Sequence, residues 1–129
     1  MWRVGYYIFY VINRIIALLP LGVLYIFSDF LFLLLYYFPS YRRQIVKENL
    51  TNSFPEKSPE EIRQIERAFY RHLSDLIIEV LKLPGMSKKE LLRRVKFTNP
   101  ELIKRLFNSG KDIAAVYSHY NNWEWLTTV

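Results

Sequence analysis

Apolar and polar positions are spread very unevenly along the chain. From Val4 to Phe38 the only charged side chains are Arg14 and Asp29; after that, polar and apolar residues alternate with a mostly helical period. Pro20 and Gly22 divide the apolar third into two segments, each close to the roughly 20 residues that a bilayer-crossing helix needs. Tyr6, Tyr7 and Tyr10 stand near one end and Tyr36, Tyr37 and Tyr41 near the other, in the manner of interfacial aromatic belts. The pattern predicts one or two membrane-anchoring apolar helices over 1–39. A secretory signal fits poorly, because the stretch is too long and has no small-residue cleavage site. Asn13 and Arg14 argue against two clean spans. An arginine at the centre of a span costs about 2.5–3.5 kcal/mol, while each Leu, Ile or Phe returns only about 0.3–0.6 kcal/mol. One span over Ile15 to Phe38, a hairpin lying partly in the bilayer, and a buried pair of core helices all remain open.

Beyond Pro39, which closes the apolar region, Tyr41 to Ser53 has an amphipathic pattern, with Ile45, Val46 and Leu50 on one side and Arg42, Arg43 and Lys47 on the other. Ser58-Pro59-Glu60-Glu61 combines an N-cap, a proline at the first helical position and a capping box. The apolar residues that follow keep helical spacing as far as Pro84-Gly85. Ser87 caps a second helix, and Asn99-Pro100 starts a third that ends at Gly110, a residue suited to the left-handed C′ position. Val95 to Thr98 alternates as an edge strand would. Ile113 to Tyr117 is short and almost free of polar groups, so it reads as a buried strand. The sum is an α/β fold: N-terminal membrane helix or helices over 1–39, then over 40–129 the start of an incomplete α/β sandwich, truncated at its C-terminus.

Composition narrows the chemistry. The chain has no cysteine, which excludes disulfides and thiolate metal sites. Two histidines without an acidic cluster predict no protein-held metal. A net charge of +6 favours an anionic partner, and beside so apolar an N-terminus a membrane lipid surface is the simplest one. The dense basic region from Lys88 to Arg105 lacks any recognisable nucleic-acid module, so nucleic acid is not expected. His72, next to Arg71 and near Asp75, reads as a surface or packed histidine.

Reactive chemistry concentrates near the C-terminus, in Ser118-His119-Tyr120-Asn121-Asn122-Trp123-Glu124. A histidine at a strand end with a glutamate five positions later suits general-base work: the imidazole takes a proton near neutral pH, and the carboxylate fixes its tautomer and stabilises the imidazolium. Five positions on an unbroken helix lie roughly 140° apart, so the pair meets only if the chain turns between its members. Asn121-Asn122 can supply that turn, because asparagine tolerates left-handed geometry and caps helices. His119 and Glu124 are therefore the candidate catalytic residues, with Asn122 and Trp123 as weaker substrate-binding candidates.

Several of these blocks carry a resemblance. Leu35-Tyr36-Tyr37, Tyr41-Arg42-Arg43, Glu48-Asn49-Leu50, Ser53-Phe54-Pro55-Glu56, Phe69-Tyr70-Arg71-His72 and the His119 to Glu124 block together resemble the N-terminal portion of the lipid A biosynthesis (lauroyl/myristoyl) acyltransferase family, within the wider glycerolipid acyltransferase group. The resemblance implies transfer of a fatty acyl group from acyl carrier protein to a hydroxyl of a phosphorylated glycolipid, a lipid A precursor. His119 matches the family's catalytic base and Glu124 its acidic partner, and no cofactor is implied beyond the acyl thioester donor. The implied location is the bacterial inner membrane, with the catalytic part on the cytoplasmic side, as Arg42, Arg43 and Lys47 after the apolar third also suggest. Asn121 stands where the family commonly has glycine. Two other readings compete: a non-catalytic membrane anchor or assembly protein, and a basic peripheral membrane module.

Overall fold

The computed structural model describes residues 2–38 and 41–128. Its regular elements are helical: α1 (Trp2–Leu18), α2 (Leu21–Tyr37), α3 (Arg43–Ser53), α4 (Pro59–Lys82), a 3-10 turn (Leu83–Gly85), α5 (Lys88–Arg94), α6 (Pro100–Phe107) and α7 (Trp123–Thr128). The helices form two compact units, residues 1–85 and residues 86–129. Pro39, the expected end of the apolar region, lies outside the described residues.

In the first unit the long helix α4 is the common support. It starts as its sequence predicts: Ser58 Oγ accepts from the Glu61 N–H, and the Ser58 N–H donates to Glu61 Oε2 at 2.8 Å. This closes a capping box. Leu21, Leu24, Ser28, Phe32 and Tyr36 of α2 are buried at three- and four-residue intervals, and α4 answers with Ile62, Glu66, Tyr70, Ser74 and Ile78. Tyr36 and Tyr70 meet edge to face with ring centroids 5.7 Å apart. Phe32 completes the buried cluster, with Leu35, Val46 and Leu73 packed around it.

Polar links fix the register between these helices. Tyr25 Oη donates to Glu79 at 2.7 Å, Ser28 Oγ to Asp75 at 2.5 Å, and Arg71 pairs with Asp29 at 2.6 Å. As numbers rise along α2 they fall along α4, so the two helices run antiparallel. Tyr70 Oη donates to the Tyr41 carbonyl, tying the entry of α3 to α4; burial pushes this phenol's pKa up. At the other end of α4, the buried Lys82 Nζ donates to the Ala17 carbonyl of α1 at 2.6 Å. Asn13 of α1 donates to the Leu81 carbonyl.

Two expectations are overturned here. The first is the spanning helix. The chain breaks between Leu18 and Leu21, with Pro20 at the N-cap of α2, leaving two helices of 17 residues. At about 1.5 Å per residue each is roughly 25 Å long, short of the hydrocarbon thickness of about 30 Å. No described helix is long and apolar enough to cross a membrane.

The second is the α/β sandwich. Among the described residues there is no strand. Val95 to Thr98 and Ile113 to Tyr117, the two expected strands, are irregular. A strand is held by a ladder to a neighbour and by burial of at least one face. Ile113 to Tyr117 has neither, and Val116 is 93% exposed. The apolar composition of the run points to a strand, but composition alone cannot provide the pairing partner that a strand needs.

In the second unit Ser87 Oγ accepts from the Glu90 N–H, and Asn99 Oδ1 accepts from the Leu102 N–H at 3.1 Å. Both expected caps are present. Gly110 takes the expected left-handed backbone at φ 67°.

Candidate active site

The segment around His119 takes its shape from one left-handed residue. Asn121 has φ 53°, a conformation that asparagine reaches more cheaply than most residues with a Cβ. Just before it, the Tyr120 N–H donates to the Ser118 carbonyl at 2.8 Å; just after it, the Trp123 N–H donates to the Asn121 carbonyl at 3.1 Å. The chain therefore bends at the asparagine pair and enters α7 at Trp123, which puts Glu124 in that helix's first turn. The turn expected from Asn121-Asn122 is present.

Burial anchors α7. Trp125 is buried, and the Arg94 guanidinium of α5 stands over its ring, 5.7 Å from the centroid. A cation above an aromatic face is favourable when partly desolvated, and Arg94 is oriented by Glu90 at 3.1 Å. The hydroxyls of Thr127 and Thr128 both donate to the Glu124 carbonyl, at 3.0 and 2.8 Å. The backbone that carries Glu124 is thus fixed from both sides.

His119 is exposed, and its imidazole meets the Trp123 indole edge to face with ring centroids 4.6 Å apart. Tyr117 approaches the same indole at 6.1 Å. Trp123, a weak candidate from sequence, is therefore the residue in ring contact with the histidine. Asn122 and Glu124 are half-buried beside it, and Asn122 Oδ1 is turned inward. Among the described residues no hydrogen bond or ion pair joins His119 to Glu124. The turn brings the histidine to Trp123 and leaves the carboxylate one residue further along.

Sequence reasoning missed two contributions. Trp123 stands against the imidazole, a contact made by the turn at Asn121 and announced by no helical spacing, since residues 119–122 are not in a helix. Arg94 holds Trp125 from a separate helix, and no local pattern announces that contact. Among the described residues no group of three or more His, Asp or Glu side chains gathers as metal ligands would.

The family model for bacterial lipid A biosynthesis acyltransferases matches residues 2–129. No curated protein and no solved structure matches the chain.

Proposed function

The chain belongs to the bacterial lipid A biosynthesis acyltransferase family, and we propose that within this acyltransferase role His119 is the general base of an O-acyl transfer and Glu124 its acidic partner. The imidazole removes the proton of an acceptor hydroxyl as that oxygen attacks the carbonyl of an acyl thioester. The new C–O bond forms, the C–S bond breaks, and the imidazolium returns the proton to the departing thiolate. Glu124 stabilises the imidazolium while it exists. The thioester carries its own activation, so this step calls on no cofactor.

The donor in this reading is acyl carrier protein and the acceptor a hydroxyl of a phosphorylated glycolipid, a lipid A precursor. Both are anionic, which accords with the net charge of +6. The setting is the cytoplasmic face of the bacterial inner membrane, with membrane lipid against the apolar first third. The single observation that supports the reading most is the left-handed turn at Asn121: it places an exposed imidazole directly before a helix whose first turn carries the acid.

Another observation favours a second reading. Ile113, Val116, Tyr117 and Tyr120 are exposed, and His119 makes no hydrogen bond to Glu124 among the described residues. A chain in that state suits a non-catalytic anchor or assembly protein. The two readings part on one assay. The purified chain is incubated with acylated carrier protein and a phosphorylated glycolipid precursor, and free thiol and ester product are followed together. Equal release of thiol and formation of ester supports transfer. Absence of both counts for the non-catalytic readings.

A further inference from the structure

Helix α2 has two faces of opposite kind. The inner one is buried against α4. The outer one, formed by Val23, Ile26, Phe27, Phe30, Leu34 and Tyr37, is between 40 and 68% exposed at every position. A continuous apolar stripe of this extent is uncommon on a soluble monomer and marks an interaction surface.

What backs the stripe decides how it meets a lipid bilayer. Along α2 from Tyr25 to Phe32, α4 places Glu79, Asp75, Arg71 and Arg67 alongside. The Asp29–Arg71 ion pair falls at the middle of α2, and both side chains are more than half exposed. If α2 crossed a bilayer, this pair and its charged neighbours would sit at the midplane, where each charge costs more than several apolar side chains return. If α2 lies along the surface, the same pair sits on its flank among headgroups and α4 stays on the water side.

We infer that the outer face of α2 is a docking surface for a single phospholipid leaflet, with the helix parallel to the membrane plane and α4 as its water-facing backing. Charge commits the occupant to an anionic leaflet: Arg42 and Lys47 follow α2 within ten residues, and Arg67 flanks it. Tyr37 and Tyr41, both more than half exposed, stand at the same end, as side chains with an apolar body and a polar tip do at an interface. The inference rests on the membrane association proposed above and not on the transfer chemistry.

The absence of cysteine makes the test direct. Val23→Cys, Phe30→Cys and Tyr37→Cys are made singly in the full chain and spin-labelled. Label depth is then read from oxygen and nickel-complex collision rates on vesicles of phosphatidylethanolamine with phosphatidylglycerol. All three labels are expected at similar shallow depth, within about 5–10 Å of the headgroup boundary, with binding retained in high salt. A profile in which Phe30→Cys is deepest and the other two lie near opposite interfaces overturns the one-leaflet placement but leaves the membrane association intact. Labels that stay water-exposed on vesicles overturn both, as does protection of the labels by self-association without lipid. Phe30→Asp serves as a control that keeps the fold, since Phe30 is 61% exposed. It is expected to weaken vesicle partition by about tenfold or more, and unchanged partition counts against the inference.

Discussion

Arg43, at the start of α3, donates from Nε to Oε1 of Glu66 in the first third of α4, at 2.6 Å. The carboxylate is 1% exposed, whereas the arginine side chain keeps 36% of its surface in water. The same guanidinium lies 4.2 Å from the centroid of the Tyr36 ring and also donates to its hydroxyl. One cation thus joins α2, α3 and α4 around a charge that water cannot reach, and the hydrogen bond to Glu66 holds the Arg43 pKa above its ordinary value.

The asymmetry in burial sets the first prediction. Arg43→Met strands a buried carboxylate and is expected to destabilise the chain strongly, by somewhat less than the about 3–5 kcal/mol typical when a fully buried pair loses one partner. Glu66→Gln leaves a neutral group and is expected to cost about 1–3 kcal/mol. The two changes together should cost clearly less than their sum. Denaturant unfolding of the four chains closes the cycle, and strictly additive losses would show that the contact carries no coupling.

A second prediction concerns the end of α1. Gly85 lies so close to α1 that an added Cβ would stand 2.1 Å from the Ala17 carbonyl oxygen. Backbone cannot yield there as a side-chain tip could, so Gly85→Ala must displace either the 3-10 turn or α1. The expected loss is about 1–3 kcal/mol or more. Lys82→Met removes the donor to that same carbonyl and is expected to cost about 1–3 kcal/mol. Thermal melts of both variants check this, and a Gly85→Ala chain as stable as the original would contradict the packing described.

Acid pH supplies a third. Glu61 is held below the ordinary carboxylate range, first by the Ser58 backbone N–H and then by its hydroxyl. A depressed folded-state pKa means stabilisation that is complete above the unfolded value, near 4.5, and is lost as pH falls through the lower folded one. Helix α4 is therefore expected to weaken below about pH 4.5. Ser58→Ala is expected to cost about 1 kcal/mol at neutral pH and to flatten the acid dependence. Glu61→Gln removes the titrating group altogether, and an unchanged acid profile in that variant would remove the capping box as its source.

Much of this architecture was legible in the sequence because its signals are local. Ser58, Ser87 and Asn99 announce their helices through side chains that satisfy backbone groups three residues away, and Gly110 and Asn121 announce left-handed turns by residue type. The errors came where structure depends on distant partners. Ile113 to Tyr117 has the composition of a strand, but a strand exists only beside another. The apolar run from Val4 to Phe38 has the hydropathy of a membrane span, yet Ser28 and Asp29 are spoken for by Asp75 and Arg71, more than forty positions along the chain. At the candidate site, His119 and Glu124 were legible as a pair of residue types, and the bend between them was legible from the asparagines. The packing of Trp123 on His119 and the anchoring of Trp125 under Arg94 depend on where helices settle, which no spacing encodes.

The bend itself gives a fourth prediction. Asn121→Gly is expected to be tolerated or slightly stabilising to the turn, since glycine reaches positive φ without a Cβ penalty. Asn121→Val forces a β-branched residue into the left-handed region and is expected to cost about 1–2 kcal/mol locally. Quenching of Trp123 fluorescence by the neighbouring imidazole should persist in the glycine variant and fall in the valine variant. Equal quenching in both would mean that the left-handed residue does not set the approach of His119.

The central claim is that the His119 imidazole activates the acceptor hydroxyl. It is tested most directly by the rate of acyl transfer from a carrier-protein thioester to the glycolipid acceptor, compared between the unchanged chain and His119→Ala. His119 is exposed, so the substitution should leave folding and vesicle binding as they were. The account predicts a loss of about 10²–10⁴-fold in rate with membrane partition unaltered. Transfer at the full rate in His119→Ala would contradict it.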